Sequence, residues 1–184
     1  MKPIWTEIDF RLSVVNRWQV MPTIRKQSVA EHQHNVAKIA ERLAEEVFGV
    51  KDYTTLYLVV AYALEHDDLE AVIGDPPSYT KPYLDEQTMA LDFAPFMRDP
   101  PEDPPMLVRI IVKCADYIDA AVFLRVEISM GNRTVVGVLR DLERRFKYYC
   151  EDRACLGAYH AYETVVDTMF GGNGQLTIEG FRFK

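Results

Sequence analysis

The chain has 184 residues, a length that suits one domain with a sizeable buried core. Hydrophobic residues make up 48% of it and charged residues 27%, which excludes a disordered or fibrous protein. The formal net charge of −7 disfavours a general DNA- or RNA-coating role, because an acidic surface repels phosphate polymers. A small anionic ligand in a local basic pocket remains compatible with that charge.

Export and membrane signals are weak in this sequence. The N-terminal residues lack an apolar signal core, and the longest apolar run, residues 56–64, is far too short to span a bilayer. The three cysteines are odd in number and form no CxxC pair, which favours free thiols in a reducing compartment. We therefore expect a soluble, cytoplasmic protein that does not bind membranes.

Helical periodicity dominates the chain and strand-like alternation is weak, so the predicted class is all-α. The second helix opens with the capping box Ser28-Val29-Ala30-Glu31 and ends at Gly49. The third is apolar on nearly every side, which predicts a central buried helix. The predicted helices cover residues 7–16, 28–48, 54–66, 68–73, 83–97, 106–130, 134–150 and 155–170.

Eight of the ten prolines lie between Pro76 and Pro105. The proline-rich run 100–105 is interpreted as a rigid connector within the domain, because the helix that follows is needed for the core. We therefore predict a single domain over residues 1–184, with an irregular C-terminal tail over residues 171–184.

Histidine and aspartate stand side by side at the end of the apolar third helix, as His66 and Asp67. Buried imidazole and carboxylate groups need a partner or a metal ion. At about 100° per residue, His32 falls on the apolar stripe of the second helix, whereas His34 points away from it. Two inward histidines and one inward carboxylate form a partial metal site.

A fourth ligand is available on the helix 106–130, which carries Asp116 and Asp119 among apolar residues. Periodicity does not choose between these two carboxylates. Mixed nitrogen and oxygen donors suit Mn, Fe, Co, Ni or Zn better than Ca or Mg. The alternative is that the two histidines are satisfied core residues and Asp67 is a helix cap, but the whole set together favours the metal.

Several short motifs follow one another along the chain. They are Arg17-Trp18, Ser28-Val29-Ala30-Glu31-His32, His66-Asp67-Asp68-Leu69-Glu70, Gly74-Asp75, Lys81 and Lys113-Cys114-Ala115-Asp116. A bare His-Asp pair is weak evidence, but this ordered set resembles the HD-domain metal-dependent phosphohydrolases. The Arg-Trp pair makes it similar to their 5′-deoxynucleotidase branch. The resemblance covers about residues 16 to 133 and implies a compact multi-helix HD-domain bundle.

The resemblance also implies the metal site. Its four ligands would be His32, His66, Asp67 and Asp116, which leaves Asp119 as a structural partner. The cofactor would be one divalent transition metal ion, Zn, Co or Mn. Asp67 would therefore take part in catalysis as a ligand of that ion.

Further roles follow from the resemblance. Glu70 would orient the attacking water or handle its proton, the alternative being a solvated helix-end carboxylate. Trp18 would exclude a 2′-hydroxyl and so favour deoxyribose. The other candidate substrate-binding residues are Arg17, Met21, Arg25, Asp75, Lys81 and Lys113. Arginine offers a bidentate fork and lysine a point charge to phosphate, and surface charges are the alternative for the cations.

Two substrates fit this pattern. A deoxynucleoside triphosphate, dATP first, is favoured because the segment between Asp67 and Asp116 is short, as in the compact phage dATP triphosphohydrolases that the chain resembles. The alternative is a 5′-deoxynucleotidase that releases phosphate from a deoxynucleoside monophosphate. An alternative of another class is a non-catalytic helical regulator held by a metal clip. The expected partners are a small deoxynucleotide, no nucleic-acid polymer, and further copies of the chain in a homo-oligomer.

Overall fold

The computed structural model describes residues 7–77, 80, 83–84 and 104–171. Within these ranges the regular structure is helical, apart from one isolated antiparallel bridge between Asn16 and Ser28, so the predicted all-α class is confirmed. The helices are α1 (Glu7–Arg11), α2 (Val29–Glu46), α3 (Tyr53–Glu65), α4 (Glu70–Ile73), α5 (Met106–Ser129), α6 (Val136–Asp152) and α7 (Leu156–Phe170). The helix predicted over residues 83–97, nearly all of the C-terminal tail, and Lys81 lie outside the described residues.

The start of α2 follows the predicted cap only in part. The Ser28 hydroxyl accepts the backbone N–H of Glu31 over 3.1 Å, as expected of an N-cap residue. The Glu31 carboxylate pairs instead with Arg25 at 2.7 Å, because that guanidinium approaches from the preceding loop. The helix α1 is also shorter than predicted, ending at Arg11 in a turn.

Three helices form the centre of the bundle. α2 packs against both α3 and α5, and α3 packs against α5, while α6 and α7 cover the other side of α5. Val36, Ala40 and Leu43 of the apolar stripe of α2 are buried in this core. α1 packs against α4 in a smaller cluster beside it. No helix in the described ranges is both long and apolar enough to cross a membrane.

The predicted burial of the third helix holds for one side only. Val59 and Ala63 of α3 are fully buried, but Tyr53 and Tyr57 are 87% and 71% exposed. The helix packs along one side only, against α2 and α5. The apolar composition of the helix therefore predicted the burial of one face correctly and overstated the burial of the opposite face.

Three of the four tyrosines of α6 and α7 pad the core. Tyr162 is buried, Tyr149 and Tyr159 pack partly buried against the core, and Tyr148 is exposed. Three of them therefore pack in or against the core, and the expected homo-oligomer stays a prediction. The three cysteines, where α5, α6 and α7 meet, are free and buried.

The loop over residues 16–28 is closed at its base by backbone hydrogen bonds. The N–H of Arg17 donates to the carbonyl of Gln27 over 2.8 Å, and the N–H of Val29 donates to the carbonyl of Val15 over 3.0 Å. The chain therefore leaves the loop directly into the first turn of α2.

The far side of the same loop is anchored to α5. The buried Glu127 carboxylate accepts the backbone N–H groups of Ile24 and Arg25, over 2.7 and 2.8 Å. The Asn132 amide donates to this carboxylate and to the Pro22 carbonyl, both over 2.8 Å. The loop is thus held at its base and at its side.

Candidate active site

Three helices bring the predicted ligand residues together. His32 lies one turn inside α2 and is fully buried, His66 and Asp67 follow the last turn of α3, and Asp116 lies on α5. Nε2 of His32 lies 3.4 Å from a carboxylate oxygen of Asp67 and 3.4 Å from one of Asp116. Nε2 of His66 lies 3.5 Å from Asp67. The remaining nearby histidine, His34, is exposed, as its helical position predicts.

Both imidazoles are oriented through their Nδ1 atoms. Nδ1 of His66 donates to the Ala63 carbonyl over 2.8 Å, since a carbonyl can only accept. Nδ1 of His32 lies 2.6 Å from an Asp119 carboxylate oxygen, which accepts its proton. Each Nε2 is buried and has no hydrogen-bond partner within the described part of the chain. Both Nε2 atoms therefore border the same space, as in carboxylate–histidine–metal sites.

The donor set fits one divalent metal ion. Ligand atoms of His32, His66 and Asp116 lie within 4.8 Å of one another, and Asp67 borders the same space. Two imidazole nitrogens and two carboxylates match the ligands of Zn²⁺ and its neighbours among the transition metals.

The electrostatics of His32 depend on the carboxylates around it. Burial of the ring and the nearby Arg17 cation lower the pKa of His32. The Asp116, Asp119 and Asp67 carboxylates close to the ring outweigh both and raise the pKa to about 10. The three carboxylates therefore create a strong local demand for positive charge, which a proton or a metal ion can meet.

The two candidate carboxylate ligands are held ionised. Burial would raise the pKa of Asp67, but His66 and His32 outweigh it and lower that pKa below its usual range. Burial acts in the same way on Asp116, whose pKa is held well below normal by Lys113 and His32. The Lys113 ammonium lies 2.7 Å from Asp116.

Glu70 begins α4 immediately after the histidine–aspartate pair. Its backbone N–H donates to the Asp67 carbonyl over 2.9 Å, and its side chain is only 4% exposed. Burial contradicts the alternative of a solvated helix-end carboxylate. A buried carboxylate one turn beyond the candidate ligands suits a role in handling protons.

Arg17 is a buried cation next to the candidate ligands. Its side chain is 12% exposed, and its terminal nitrogens lie 3.8 Å from Asp116 and 3.7 Å from Asp119, beyond hydrogen-bond distance. Its buried Nε and Nη1 atoms have no hydrogen-bond partner among the described residues. Unmet buried donors are costly, so this guanidinium is suited to an incoming anion.

Trp18 has a positive φ of 64°, which is rare for a residue with a large side chain. Its backbone N–H donates to the Asp75 carboxylate over 2.9 Å, and its indole N–H donates to the Gln27 side-chain oxygen over 3.1 Å. Its ring stacks on Phe123 with 5.6 Å between centroids and 5° between planes. Two contacts therefore hold the ring, and the hydrogen bond to Asp75 holds the backbone of the same residue.

A cavity of about 900 Å³ opens beside these residues. It lies between the 16–28 loop, the Gly74-Asp75-Pro76-Pro77 turn, α5 and α6. Six sequence-predicted residues line it: Arg17, Trp18, Met21, Asp75, Lys113 and Asp116. The volume is within the usual range for small-molecule sites.

Arg25 is not among the residues that line this cavity. Its guanidinium pairs with Glu31 at 2.7 Å and lies 5.3 Å from the ring centroid of Phe123. These contacts do not support the predicted contact of Arg25 with phosphate, which stays a prediction. The predicted contact of Lys81 also stays a prediction, because Lys81 lies outside the described residues.

Two cavity residues, Arg140 and Arg145, were missed from the sequence. Both are exposed on α6 and face the cavity. Their neighbour Arg144 pairs with Asp141 at 2.9 Å, an ordinary surface ion pair. A charged helix face in a sequence normally indicates a surface that is exposed to solvent. That these cations share a cavity with the candidate metal site becomes visible only when α6 is seen packed beside α5.

Comparison with known proteins identifies the family. The sequence model described as YfbR-like 5′-deoxynucleotidase matches residues 6–91. A dATP triphosphohydrolase of Salmonella phage PMBT28 is 30% identical in a 159-residue alignment, and the match covers 79% of this chain and 78% of that protein. The chain belongs to the 5′-deoxynucleotidase-like branch of the HD-domain phosphohydrolases. A 5′-deoxynucleotidase of Pasteurella multocida is 28% identical over 166 residues, covering 77% of this chain and 83% of that protein.

The fold of this HD-domain phosphohydrolase is also found among solved structures. The cyanophage S-2L HD phosphohydrolase DatZ, bound to dA and one catalytic Zn²⁺ ion, superposes with a TM-score of 0.71 and 21% identity. The match covers 91% of this chain and 99% of that one. Family membership makes the chain an enzyme and overturns the alternative of a non-catalytic regulator.

Proposed function

We propose that the chain hydrolyses the 5′ phosphoester of 2′-deoxynucleoside triphosphates, with dATP as the first candidate, and releases the deoxynucleoside and tripolyphosphate. One observation carries the proposal: the candidate metal site borders a single cavity whose walls hold four cations. They are Arg17, Lys113, Arg140 and Arg145. Three carboxylates, Asp75, Asp116 and Asp141, line the same cavity. Asp116 is assigned to the metal ion and Asp75 accepts the backbone N–H of Trp18, so the cations left for a ligand suit one more anionic than a monophosphate.

The relatives give further support. The phage relative that matches most of the chain is named a dATP triphosphohydrolase, and the fold neighbour DatZ was solved with deoxyadenosine. Both names concern deoxyadenosine compounds, which is why dATP comes first among the candidate substrates.

We infer that His32, His66, Asp67 and Asp116 hold one divalent transition metal ion, Zn, Co or Mn. Such an ion, when bound, polarises a phosphoryl oxygen and lowers the pKa of a coordinated water. Glu70 orients the attacking water and accepts its proton. The water oxygen bonds to the α-phosphorus and the bond from that phosphorus to O5′ breaks. O5′ takes up a proton from solvent and leaves as the 5′-hydroxyl, while Glu70 returns its proton to solvent.

Arg17 and Lys113 act on the α-phosphate end of the substrate in this proposal. The unpaired buried donors of Arg17 match the fork geometry that phosphate oxygens accept. Lys113 already lies against Asp116 and adds a point charge there. Together they offset the negative charge that develops on the reacting phosphoryl group.

Sugar selection is assigned to Trp18. Its indole is held by hydrogen bonds and stacking, so it cannot swing aside without breaking several contacts. A fixed ring against C2′ leaves no room for a hydroxyl, which favours deoxyribose. Met21, which lines the same cavity, is suited to contact the base because a flexible thioether side chain packs well on a flat ring.

The second candidate function is a 5′-deoxynucleotidase acting on deoxynucleoside monophosphates. The family match and the Pasteurella relative favour it. The same four candidate ligands, Glu70 and Arg17 would serve this reaction, because it breaks the same bond. The two functions differ only in what the cations on α6 contact.

Mass-resolved product analysis separates the two functions. The protein is incubated with dATP, dGTP, dAMP and ATP, each with Mn, Co or Zn. Tripolyphosphate from dATP supports the first function, whereas phosphate from dAMP with intact dATP supports the second. No turnover with any metal contradicts both. Survival of activity in Asp67→Ala contradicts the assignment of the metal site.

A further inference from the structure

We propose that Gln27 is a positioning residue that couples the sugar-contacting ring of Trp18 to the metal ligand His32. The inference rests on the proposed function, because it takes Trp18 as the wall for the sugar and His32 as a ligand. It adds a link between the two, because the Gln27 side-chain amide that binds the Trp18 ring also binds the Asp119 carboxylate behind the His32 imidazole.

The link is a continuous chain of hydrogen bonds. The indole Nε1–H of Trp18 donates to Oε1 of Gln27 over 3.1 Å, and Nε2 of Gln27 donates to Oδ2 of Asp119 over 2.9 Å. The same Oδ2 atom accepts Nδ1–H of His32 over 2.6 Å. Three hydrogen bonds therefore connect the ring to the imidazole.

The chemistry of the end groups fixes the orientation of the amide. An indole N–H can only donate and a carboxylate can only accept, so the Gln27 oxygen must face Trp18 and its nitrogen must face Asp119. The Gln27 side chain is 1% exposed, so water does not replace either contact. A glutamate here would face Asp119 with a second carboxylate, and an aliphatic residue would satisfy neither partner.

Trp18 needs this support because of its backbone. A φ of 64° is sterically unfavourable for a residue with a Cβ atom and persists only when the surroundings enforce it. The Gln27 carbonyl also accepts the backbone N–H of Arg17 over 2.8 Å. Gln27 thus holds the strained residue through its indole and the preceding residue through its backbone.

Asn35 offers a matched comparison. Its side-chain Nδ2 donates to the other oxygen of Asp119 over 2.9 Å. Asp119 therefore receives two amide donors, of which only the one from Gln27 also binds Trp18. Loss of either donor weakens the support of His32, whereas only loss of Gln27 releases the indole.

The test compares Gln27→Met with Asn35→Leu in the metal-loaded enzyme and in chelator-competition measurements of Zn²⁺ affinity. We expect both variants to lower the metal affinity, by about tenfold, because both weaken the carboxylate behind the imidazole. Only Gln27→Met should lower the ratio of kcat/KM for dATP to that for ATP, also by about tenfold, because only this change frees the Trp18 ring.

Trp18→Phe tests the same contact from its other end, since it keeps an aromatic ring, although a smaller one, and removes the indole donor; its Zn²⁺ affinity is therefore the measurement that reports the lost hydrogen bond. It should lower discrimination and lower the Zn²⁺ affinity about threefold. The double variant with Gln27→Met should be no worse than the more affected single variant. The single variant Trp18→Phe also tests the coupling by itself if Gln27→Met does not fold.

Two results overturn the coupling. One is wild-type discrimination in Gln27→Met, or in Trp18→Phe if only that variant folds. The other is an equal loss of discrimination in Asn35→Leu, which would mark a general loosening of the site. A wild-type enzyme that hydrolyses no deoxynucleotide contradicts the proposed function instead. In that case an unchanged Zn²⁺ affinity of Trp18→Phe contradicts the coupling separately.

Discussion

Asp119 accepts the Nδ1 proton of His32 across 2.6 Å, and this single contact decides which face of the imidazole is available. With Nδ1 occupied, Nε2 is the atom that faces Asp67 and Asp116 at 3.4 Å. A carboxylate behind the ring also makes the imidazole a stronger ligand, because it stabilises positive charge on it.

We expect Asp119→Asn to lower the affinity for Zn²⁺ by about 10- to 100-fold while the fold is retained. The neutral amide still reaches Nδ1 but no longer supplies the negative charge. Isothermal titration of metal into chelator-treated protein measures the change. Asp152→Asn, which alters an exposed carboxylate on α6, is the matched control. Wild-type affinity in the Asp119 variant contradicts the assigned role.

Metal binding should release a proton below pH 10. The pKa of His32 is raised to about 10, so its ring is protonated at neutral pH until a metal ion displaces that proton. The apparent metal affinity should therefore rise by about tenfold per pH unit between about pH 7 and pH 9. Calorimetry in buffers of different ionisation enthalpy counts the released protons. An affinity that is independent of pH contradicts the prediction.

The same pKa shift predicts the stability of the metal-free protein. A pKa that is raised on folding stabilises the fold fully below the ordinary value of 6.5, and this contribution is lost as the pH rises through about 10. The Tm of chelator-treated protein should therefore fall over that range. The metal-loaded protein should not follow it, since the ion replaces the proton on His32.

Arg145→Gln should separate triphosphate from monophosphate substrates. If the cation contacts the distal phosphates, the KM for dATP should rise about tenfold and that for dAMP should change less than about twofold. Steady-state kinetics at two salt concentrations measure both. Lys147→Gln removes an equal charge from the opposite side of α6 and should alter neither KM. Equal effects of Arg145→Gln on dATP and dAMP would place the guanidinium elsewhere.

Glu127→Gln should loosen the 16–28 loop. The carboxylate accepts two backbone N–H groups and the Asn132 amide, whereas a glutamine must turn an NH₂ group towards one of these donors. We expect a loss of about 1–3 kcal/mol in the free energy of unfolding, read from denaturant titration, and a higher KM for dATP. A variant with wild-type stability contradicts the anchoring role.

The stabilising effect of Glu127 should also depend on pH, and the direction of that dependence follows from its pKa. Burial would raise the pKa of Glu127, but hydrogen bonds from Asn132, Ile24 and Arg25 outweigh it and lower the pKa. A lowered pKa contributes stability above its unfolded value that is lost as the pH falls. The difference between the wild type and Glu127→Gln should therefore shrink in acid.

Periodicity predicted the direction of His32 because a helix has a fixed angle per residue, and His34 is exposed as that angle requires. It could not separate Asp116 from Asp119. These residues lie three positions apart on α5 and both contact His32, one through Nε2 and the other through Nδ1. Sequence spacing does not encode which ring atom a carboxylate meets.

The supporting residues were beyond sequence reasoning for another reason. Gln27 and Asp119 are 92 positions apart, and Ile24 and Glu127 are 103 apart. Gln27, Asp119 and Glu127 are ordinary polar residues when read alone, and their roles exist only once α5 packs beside the loop. The family motifs carried the predicted ligand set, whereas the polar contacts behind it required the fold.

The 16–28 loop returns to its own starting point before α2 begins, and His32 comes only four residues after its last residue, Ser28. The ends of the loop and its Glu127 anchor are fixed, whereas Gln19, Val20 and Met21 between them line the cavity. If Met21 contacts the base as proposed, a substitution at these three positions would change base preference while the ends of the loop, and with them the start of α2, keep their place.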